Sequence, residues 1–356
     1  MPNREWTQAE DDIIARMRHG GSSLSEIGNA IGRTRNSVRA RLRQPLFKST
    51  VPEKNPSSAE NKRLKAERDQ LAEALETARK PRVKLAKVKP HDGRDTYFRL
   101  IVPDTHGCKA DHGALSAMLA DAEAFQPREI VMLGDHLDCG GFLAQHHTMG
   151  YVDEAGYTFE QDVGETNQLL DDLQSRCPGA AIHYLMGNHE RRLEAWIVNQ
   201  TLRNQADSAY LHKMFSVESV LSLEKRGIHY YRQGVRYMGL PIPATIKLGR
   251  CHFTHGSRTG VHAAMQTLSD FGGNVVFGHT HRSDAATKRT VNDGLIASWN
   301  PGCLCQLQPL WQHTQITGWS HGYALQSVQA DGDFLHINVP IIDGKSYLVG
   351  LARLVA

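Results

Sequence analysis

Five polar clusters hold the side chains best able to do chemistry. They read Pro103-Asp104-Thr105-His106-Gly107, Gly134-Asp135-His136-Leu137-Asp138, Gly187-Asn188-His189-Glu190, Thr254-His255-Gly256 and Gly278-His279-Thr280-His281. Asp, Asn and His offer hard oxygen and borderline nitrogen donors with no thiolate among them. That suits Mn²⁺, Fe, Zn²⁺ or Mg²⁺ rather than a structural zinc cage. Asp104 and His106, two apart on an extended segment, can point toward one ion, and His279 and His281 can do the same from another side. The donors are too many for one ion and enough for two that share a carboxylate. Two ions about 3.5–4 Å apart can generate hydroxide and clamp both oxygens of an in-line phosphoryl displacement.

Such side chains need rigid elements to bring them together. Each cluster directly follows an apolar, strand-like run: 98–102, 130–133, 182–186, 251–253 and 275–277. Buried strands that end in Gly-flanked Asp, His and Asn place donors at the carboxyl edge of a sheet, where open α/β sheets build their sites. The flanking glycines let the backbone turn sharply beside a ligand.

The rest of the 356-residue chain divides into three zones: 1–47, 48–90 and 91–356. At 40% hydrophobic residues it can bury a sizeable core, and no run of 18 apolar residues offers a membrane span. Its polar, acidic start does not read as a secretory signal. None of the six Cys forms CxxC, so reduced thiols and a cytoplasmic location are expected. The net charge of +3 hides an asymmetry. Residues 1–90 carry 20 Lys/Arg against 11 Asp/Glu, while 91–356 carry 21 against 27. A basic arm on an acidic body points to an anionic partner.

In zone 1–47, Thr7 to Glu10 and Ser23 to Glu26 form capping boxes, each followed by apolar residues at helical spacing. Gly32 stops the second helix, and Thr34 caps a third that carries Arg35, Arg39, Arg41 and Arg43. This segment, from Glu5-Trp6-Thr7 to Leu42, resembles the Myb-type, homeodomain-like DNA-binding module, with one of its usual tryptophans, Trp6. The resemblance implies a helix-turn-helix whose Arg35, Asn36, Arg39 and Arg43 touch DNA. In the linker, 58–80 reads as partly helical, with Leu64, Leu71 and Leu75 at heptad-like positions. That is too short for a coiled coil, so a solvated spacer is favoured over a homodimer zipper. The basic run 81–89 either touches phosphates or keeps the tether soluble.

Taken in order, Asp-x-His, Gly-Asp-x-x-Asp, Gly-Asn-His-Glu, His-Gly and Gly-His-x-His resemble the calcineurin-like metallophosphoesterase superfamily over roughly residues 97–340. The resemblance implies an αββα two-sheet sandwich, with 323–328 and 334–339 among its closing strands. It implies two divalent ions per chain, Mn²⁺ favoured over Fe, Zn²⁺, Mg²⁺ or Ni²⁺. One would take Asp104, His106 and His281, the other Asn188, His255 and His279, with Asp135 bridging. His189 would be a general acid or a transition-state stabiliser beside a metal-activated hydroxide. Two departures stand out. Cys139-Gly140-Gly141 replaces the Arg-Gly that often follows Gly-Asp-x-x-Asp, and Glu190 follows Gly-Asn-His where Asp is common. Arg191, Arg192, Arg258 and Arg282 are the candidate replacement phosphate contacts.

His136 is a weaker site candidate. His146, His147, His183, His252, His313 and His321 match no motif, and Cys303 and Cys305 read as packing thiols. The intervals 141–165 and 191–230 are expected to form a loop and a helical excursion near the cleft. The favoured activity is a phosphodiesterase or nuclease on DNA or RNA, with DNA held through residues 1–90. The alternatives are an enzyme for nucleotides or other small phosphate esters, and a non-catalytic DNA-binding regulator.

Overall fold

The computed structural model describes residues 5–19, 22–43, 66, 69, 70, 73, 76, 96–143, 156–203, 208–232, 244–309 and 316–350. They fall into two units, Met1–Gln70 and Leu71–Ala356. Leu64, Leu71, Leu75, the run 81–89, His146, His147 and His313 lie outside the described residues.

The first unit contains helices α1 (Gln8–His19), α2 (Leu24–Ile31) and α3 (Arg35–Leu42). Both capping boxes form. The Thr7 N–H donates to Glu10 Oε2 (3.0 Å) while the Glu10 N–H donates to Thr7 Oγ1 (3.3 Å), and Ser23 and Glu26 repeat the exchange. Gly32 adopts φ 68° to end α2, and the Thr34 hydroxyl caps α3. Ile14, Ile27, Ile31 and Val38 form the core, flanked by Trp6 and Leu42. Each buried aliphatic contributes about 1.5–3 kcal/mol. Arg33 grips buried Glu10 through two 3.0 Å hydrogen bonds and lies over the Trp6 ring, and Arg41 pairs with Asp11. Arg35, Asn36, Arg39 and Arg43 are exposed. At helical spacing they share the side of α3 opposite Arg41.

The second unit opens with β1 (Tyr97–Val102), α4 (His112–Phe125), β2 (Glu129–Met132), α5 (Phe159–Arg176) and β3 (Ala181–Leu185). Helices α6 (Glu190–Arg203) and α7 (Ser208–Phe215) follow, then single-turn helices α8 (Val217–Val220) and α9 (Leu223–Arg226), and β4 (His229–Tyr231). A second run holds β5 (Thr245–Leu248), β6 (Cys251–Thr254), α10 (Ala263–Phe271), β7 (Val275–Phe277), β8 (Ser283–Thr290) and β9 (Gly294–Pro301). Strands β10 (Gly322–Val328) and β11 (Phe334–Pro340) return to the first sheet.

The sheets are ordered β11-β10-β1-β2-β3-β4 and β5-β6-β7-β9-β8, and both are mixed. Strand alternation sorts the side chains. Leu100, Val102, Ile130, Met132, Ile182 and Tyr184 pack with Met118, Leu170 and Leu173 of helices α4 and α5. From the other face, Ile101, Val131, Leu133 and Leu185 pack on Ile246, Phe253 and Val276 of the second sheet. On the second sheet's far face, Ala263 and Ala264 of α10 meet Phe277. The layers therefore run helix, sheet, sheet, helix, a two-sheet α/β body.

One sequence expectation needs correction. The interval 141–165 is not all loop, because α5 starts at Phe159, where Thr158 caps it by accepting the Gln161 N–H (3.2 Å). Val163, Leu169, Leu170 and Leu173 then supply an apolar face at helical spacing. The interval 191–230 is largely helical, as its pattern suggests. No described helix is long and apolar enough to cross a membrane.

Candidate metal centre

Strands β1, β2 and β3 are parallel neighbours, as are β6 and β7, so their carboxyl ends deliver all five clusters to one edge. Asp104, after β1, is fully buried, and both its oxygens accept the His279 backbone N–H (3.2 and 3.0 Å). His281 Nε2 lies 3.1 Å from Asp104 Oδ2 and 3.1 Å from His106 Nε2. Asp135, after β2, places Oδ2 3.2 Å from His255 Nε2, which also lies 2.9 Å from Asn188 Oδ1. The His255 and His279 rings pack edge-on, 5.1 Å between centroids. Asp135 is common to two groups whose donor atoms lie within 4.8 Å of one another: His106, Asp135, His189 and Asp135, His255, His279. All seven side chains expected to hold metal are thus joined in one contact network.

The backbone is bent to allow this. His106, Asp135, His279 and His281 all have positive φ, between 53° and 72°, the left-handed region that costs a non-glycine residue about 1–3 kcal/mol each. Close approach needs Gly187 and Gly278. A Cβ on Gly187 would lie 2.1 Å from Asp135 Oδ1, and one on Gly278 would lie 2.4 Å from Asp104 Oδ1.

The electrostatics are those of buried charge matched by imidazole. Burial opposes ionisation of Asp104, but the His281 hydrogen bond and the His255 charge outweigh it and hold the carboxyl at about 2. Burial likewise opposes ionisation of Asp135, and His255 and His189 override it to set it well below the usual range. His106 and His255 respond in the opposite sense. Burial works against their charge, yet Asp138 holds His106 at about 9 and Asp135 holds His255 at about 10. His189 is pushed down to about 4 by burial.

This donor set fits divalent ions. His106 Nε2 and His281 Nε2 face each other at 3.1 Å beside a carboxylate oxygen, so lone pairs converge on one spot. The positive charge drawn there as protons on His106 and His255 can be exchanged for metal, whose binding requires neutral imidazole.

The other predicted residues divide. The Arg192 Nη2 donates to His189 Nε2 (3.0 Å), and its Nη1 reaches the carbonyls of Asp138 (3.3 Å) and Cys139 (3.4 Å). Arg191 is exposed. Arg258 is exposed and paired with Asp270, and Arg282 donates to the carbonyls of Thr259 and Gly260. The described contacts of these two are therefore away from the cluster. His136 turns into the core, with Nδ1 3.0 Å from Thr105 Oγ1 and its ring edge-on to Tyr184, and burial lowers it to about 3.

Sequence reasoning missed five residues. Asp138 approaches His106 Nδ1 with Oδ1 at 3.2 Å, the type of outer partner that orients a ligand imidazole. Its place in Gly-Asp-x-x-Asp was the available signal. Glu190, fully buried, accepts from the backbone N–H groups of Asp135, His136, Leu137 and Gly187 and from the Tyr184 hydroxyl. It ties the ends of β2 and β3 together. Asp162 of α5 does the same for the loops after β1 and β2, accepting from Cys108, Asp138 and Cys139 N–H groups and from Tyr157. Nothing near Asp162 in the sequence marked it. Cys305 does more than pack, since its Sγ lies 3.8 Å from His281 Nδ1. The Trp319 ring stands edge-on to His281 at 4.2 Å.

No protein-family model matches the chain, and no curated protein matches it. Among solved structures it is similar to vacuolar protein sorting 29 from Cryptosporidium parvum, at 13% identity and TM-score 0.35, over 70% of this chain and 94% of that one. It is also similar to YfcE, a phosphoesterase from E. coli, at 17% identity and TM-score 0.31, over 68% of this chain and 98% of that one. At that level of similarity the chain's own residues define its chemistry.

Proposed function

We propose that this chain is a divalent-metal-dependent phosphoesterase, and more narrowly a phosphodiesterase acting on nucleic acid, DNA favoured. One observation carries the first part. Two buried carboxylates, an amide and four imidazoles from five strand ends meet around Asp135, with strain and close-approach glycines that a purely structural role does not require. Asp104, His106 and His281 would hold one ion, Asn188, His255 and His279 the other, and Asp135 would serve both. Bound there, divalent ions supply charge to the phosphoryl oxygens and lower the pKa of water.

The chain's residues do the rest. Glu190 and Asp162 fix the loops that aim the donors, and Asp138 orients His106. His189, its backbone N–H donated to Asp135 Oδ1 (2.8 Å), borders the centre where substrate would lie. The narrower reading draws on the exposed Arg35, Asn36, Arg39 and Arg43 of α3, with phosphate contacts bringing affinity and base edges bringing selectivity. Mn²⁺ is the first metal to try, and the chain is expected to work in the cytoplasm.

The test is hydrolysis by the metal-loaded full chain of plasmid, single-stranded DNA, RNA, a chromogenic diester and a chromogenic monoester. The Arg35→Ala/Arg39→Ala/Arg43→Ala variant runs alongside. The proposal expects diester cleavage with DNA preferred. It also expects weaker DNA affinity in the variant, with a salt slope reduced by about 3. No turnover of any phosphoester by a chain loaded with two ions contradicts the enzyme. A preference for the small esters, with no effect of the variant, contradicts the nucleic-acid assignment.

A further inference from the structure

Arg192 stands in a position that its own chemistry makes informative. A guanidinium can only donate hydrogen bonds, so the 3.0 Å contact from Arg192 Nη2 makes His189 Nε2 an acceptor. On the other side of the ring, His189 Nδ1 lies 2.5 Å from the Asp138 backbone carbonyl, which can only accept. The tautomer follows from these two contacts: the single ring proton is on Nδ1, and the Nε2 lone pair faces the arginine. In this arrangement His189 has no Nε2 proton to give a leaving group.

The donors lie on the other partner. Arg192 is half-buried in the first turn of α6 and held by His189 Nε2 and by long contacts to the Asp138 and Cys139 carbonyls. Among the described residues, those contacts use at most three of its five N–H groups. The uncommitted ones belong to a cation whose partner, the His189 ring, approaches both His106 (4.4 Å between centroids) and Asp135 Oδ2 (3.9 Å). A positive side chain in the first turn opposes the helix dipole, so its place there is not explained by helix stability. A planar fork beside a site for tetrahedral oxyanions matches phosphate geometry.

We propose that Arg192 is the catalytic residue that grips the phosphoryl oxygens of the substrate, and that His189 is a positioning residue that acts through it. This inference rests on the phosphoesterase reading and adds to it which group supplies the fixed positive charge. His189 holds the guanidinium by its Nε2 lone pair and is itself anchored through Nδ1 to the Asp138 carbonyl.

The experiment compares full-length, metal-loaded wild type with Arg192→Ala, Arg192→Lys, His189→Ala and the double alanine variant. The readouts are diester hydrolysis, inorganic phosphate binding by calorimetry, metal content, and activity with added guanidinium. Imidazole ¹⁵N shifts of the metal-free wild type, with His189→Ala identifying the resonance, give the tautomer directly. Expected are an Nδ1-protonated His189, a loss on the order of 10²-fold in kcat/KM for Arg192→Ala, and phosphate binding weakened about tenfold, with metal content unchanged. Guanidinium should recover part of the activity, lysine should only partly replace arginine, and the double variant should be no worse than Arg192→Ala. Arg192→Ala within twofold of wild type, an Nε2-protonated His189, or metal loss without guanidinium rescue overturns the proposal. A wild type that binds two ions yet hydrolyses nothing overturns the phosphoesterase reading instead, so the two failures are distinguishable.

Discussion

Glu10 in the three-helix unit and Asp135 in the two-sheet body are both buried carboxylates, and they are neutralised in opposite ways. Glu10 takes two hydrogen bonds from the Arg33 guanidinium and one from the Thr7 N–H, and a permanent cation holds it at about 2. Asp135 faces the imidazole of His255 and accepts the backbone N–H of His189. Arginine cannot give up its proton, whereas imidazole can. A carboxylate closed by arginine is finished as structure. One closed by histidine can exchange protons for a metal ion, and a strained backbone at Asp135 (φ 53°) accompanies it. The difference separates a carboxylate whose cation is permanent from one whose neutralising protons can be replaced by metal.

That contrast can be broken most forcefully at Asp135. Asp135→Asn is expected to lower kcat/KM by about 10³-fold and to abolish bridging of two ions. The metal-free variant is also expected to melt lower than wild type, because the depressed pKa of Asp135 makes its ionised form stabilising at neutral pH and the substitution takes the partner from buried His255. A lower melting temperature with metal binding and activity unchanged would place Asp135 with Glu10 as a purely structural group.

Next in size is Glu190, whose carboxylate serves four backbone N–H groups and a hydroxyl. Glu190→Ala leaves those buried donors unpaired and is expected to cost about 3 kcal/mol, seen as a melting shift of roughly 5–10 °C. Metal affinity should fall about 10–100-fold. Unchanged affinity in the folded variant would show that the loops after β2 and β3 hold themselves.

The smallest effect belongs to Glu10. Its folded pKa lies below its unfolded one, chiefly through the Arg33 hydrogen bond, with burial opposing. Its contribution is therefore complete above the ordinary carboxylate pKa of 4.5 and disappears as pH falls through about 2. Glu10→Gln should cost about 1 kcal/mol at pH 7, read as faster amide exchange at Ile14 and Val38 in the full chain. That penalty should vanish near pH 2. A penalty that persists at pH 2 would mean packing, not charge, is its source.

The two regions were also unequally legible in the sequence. Caps at Thr7, Ser23 and Thr34 and the helix stop at Gly32 are local signals, so three helices could be read with their ends. In the body, strands ending in Asp104, Asp135, Asn188, His255 and His279 were legible because apolar runs and glycines are also local. What those donors rest on was not. Asp162 lies on a helix far from every cluster, and its role appears only when α5 packs beside the loops after β1 and β2. The start of α5 at Phe159 was hidden by a polar stretch, and Cys305 and Trp319 reach His281 from segments with no motif. Arg192 could be named as a cation near the site, but its lock on His189 is a matter of geometry.

The central claim is that the side chains around Asp135 hold a pair of divalent ions. Its most direct test is titration of the metal-stripped full chain with Mn²⁺, followed by calorimetry and by elemental analysis after gel filtration. The account predicts two ions per chain for wild type and loss of the pair in Asp135→Asn. A folded wild type that retains no ion, or one that binds equally well with Asn at position 135, would contradict it.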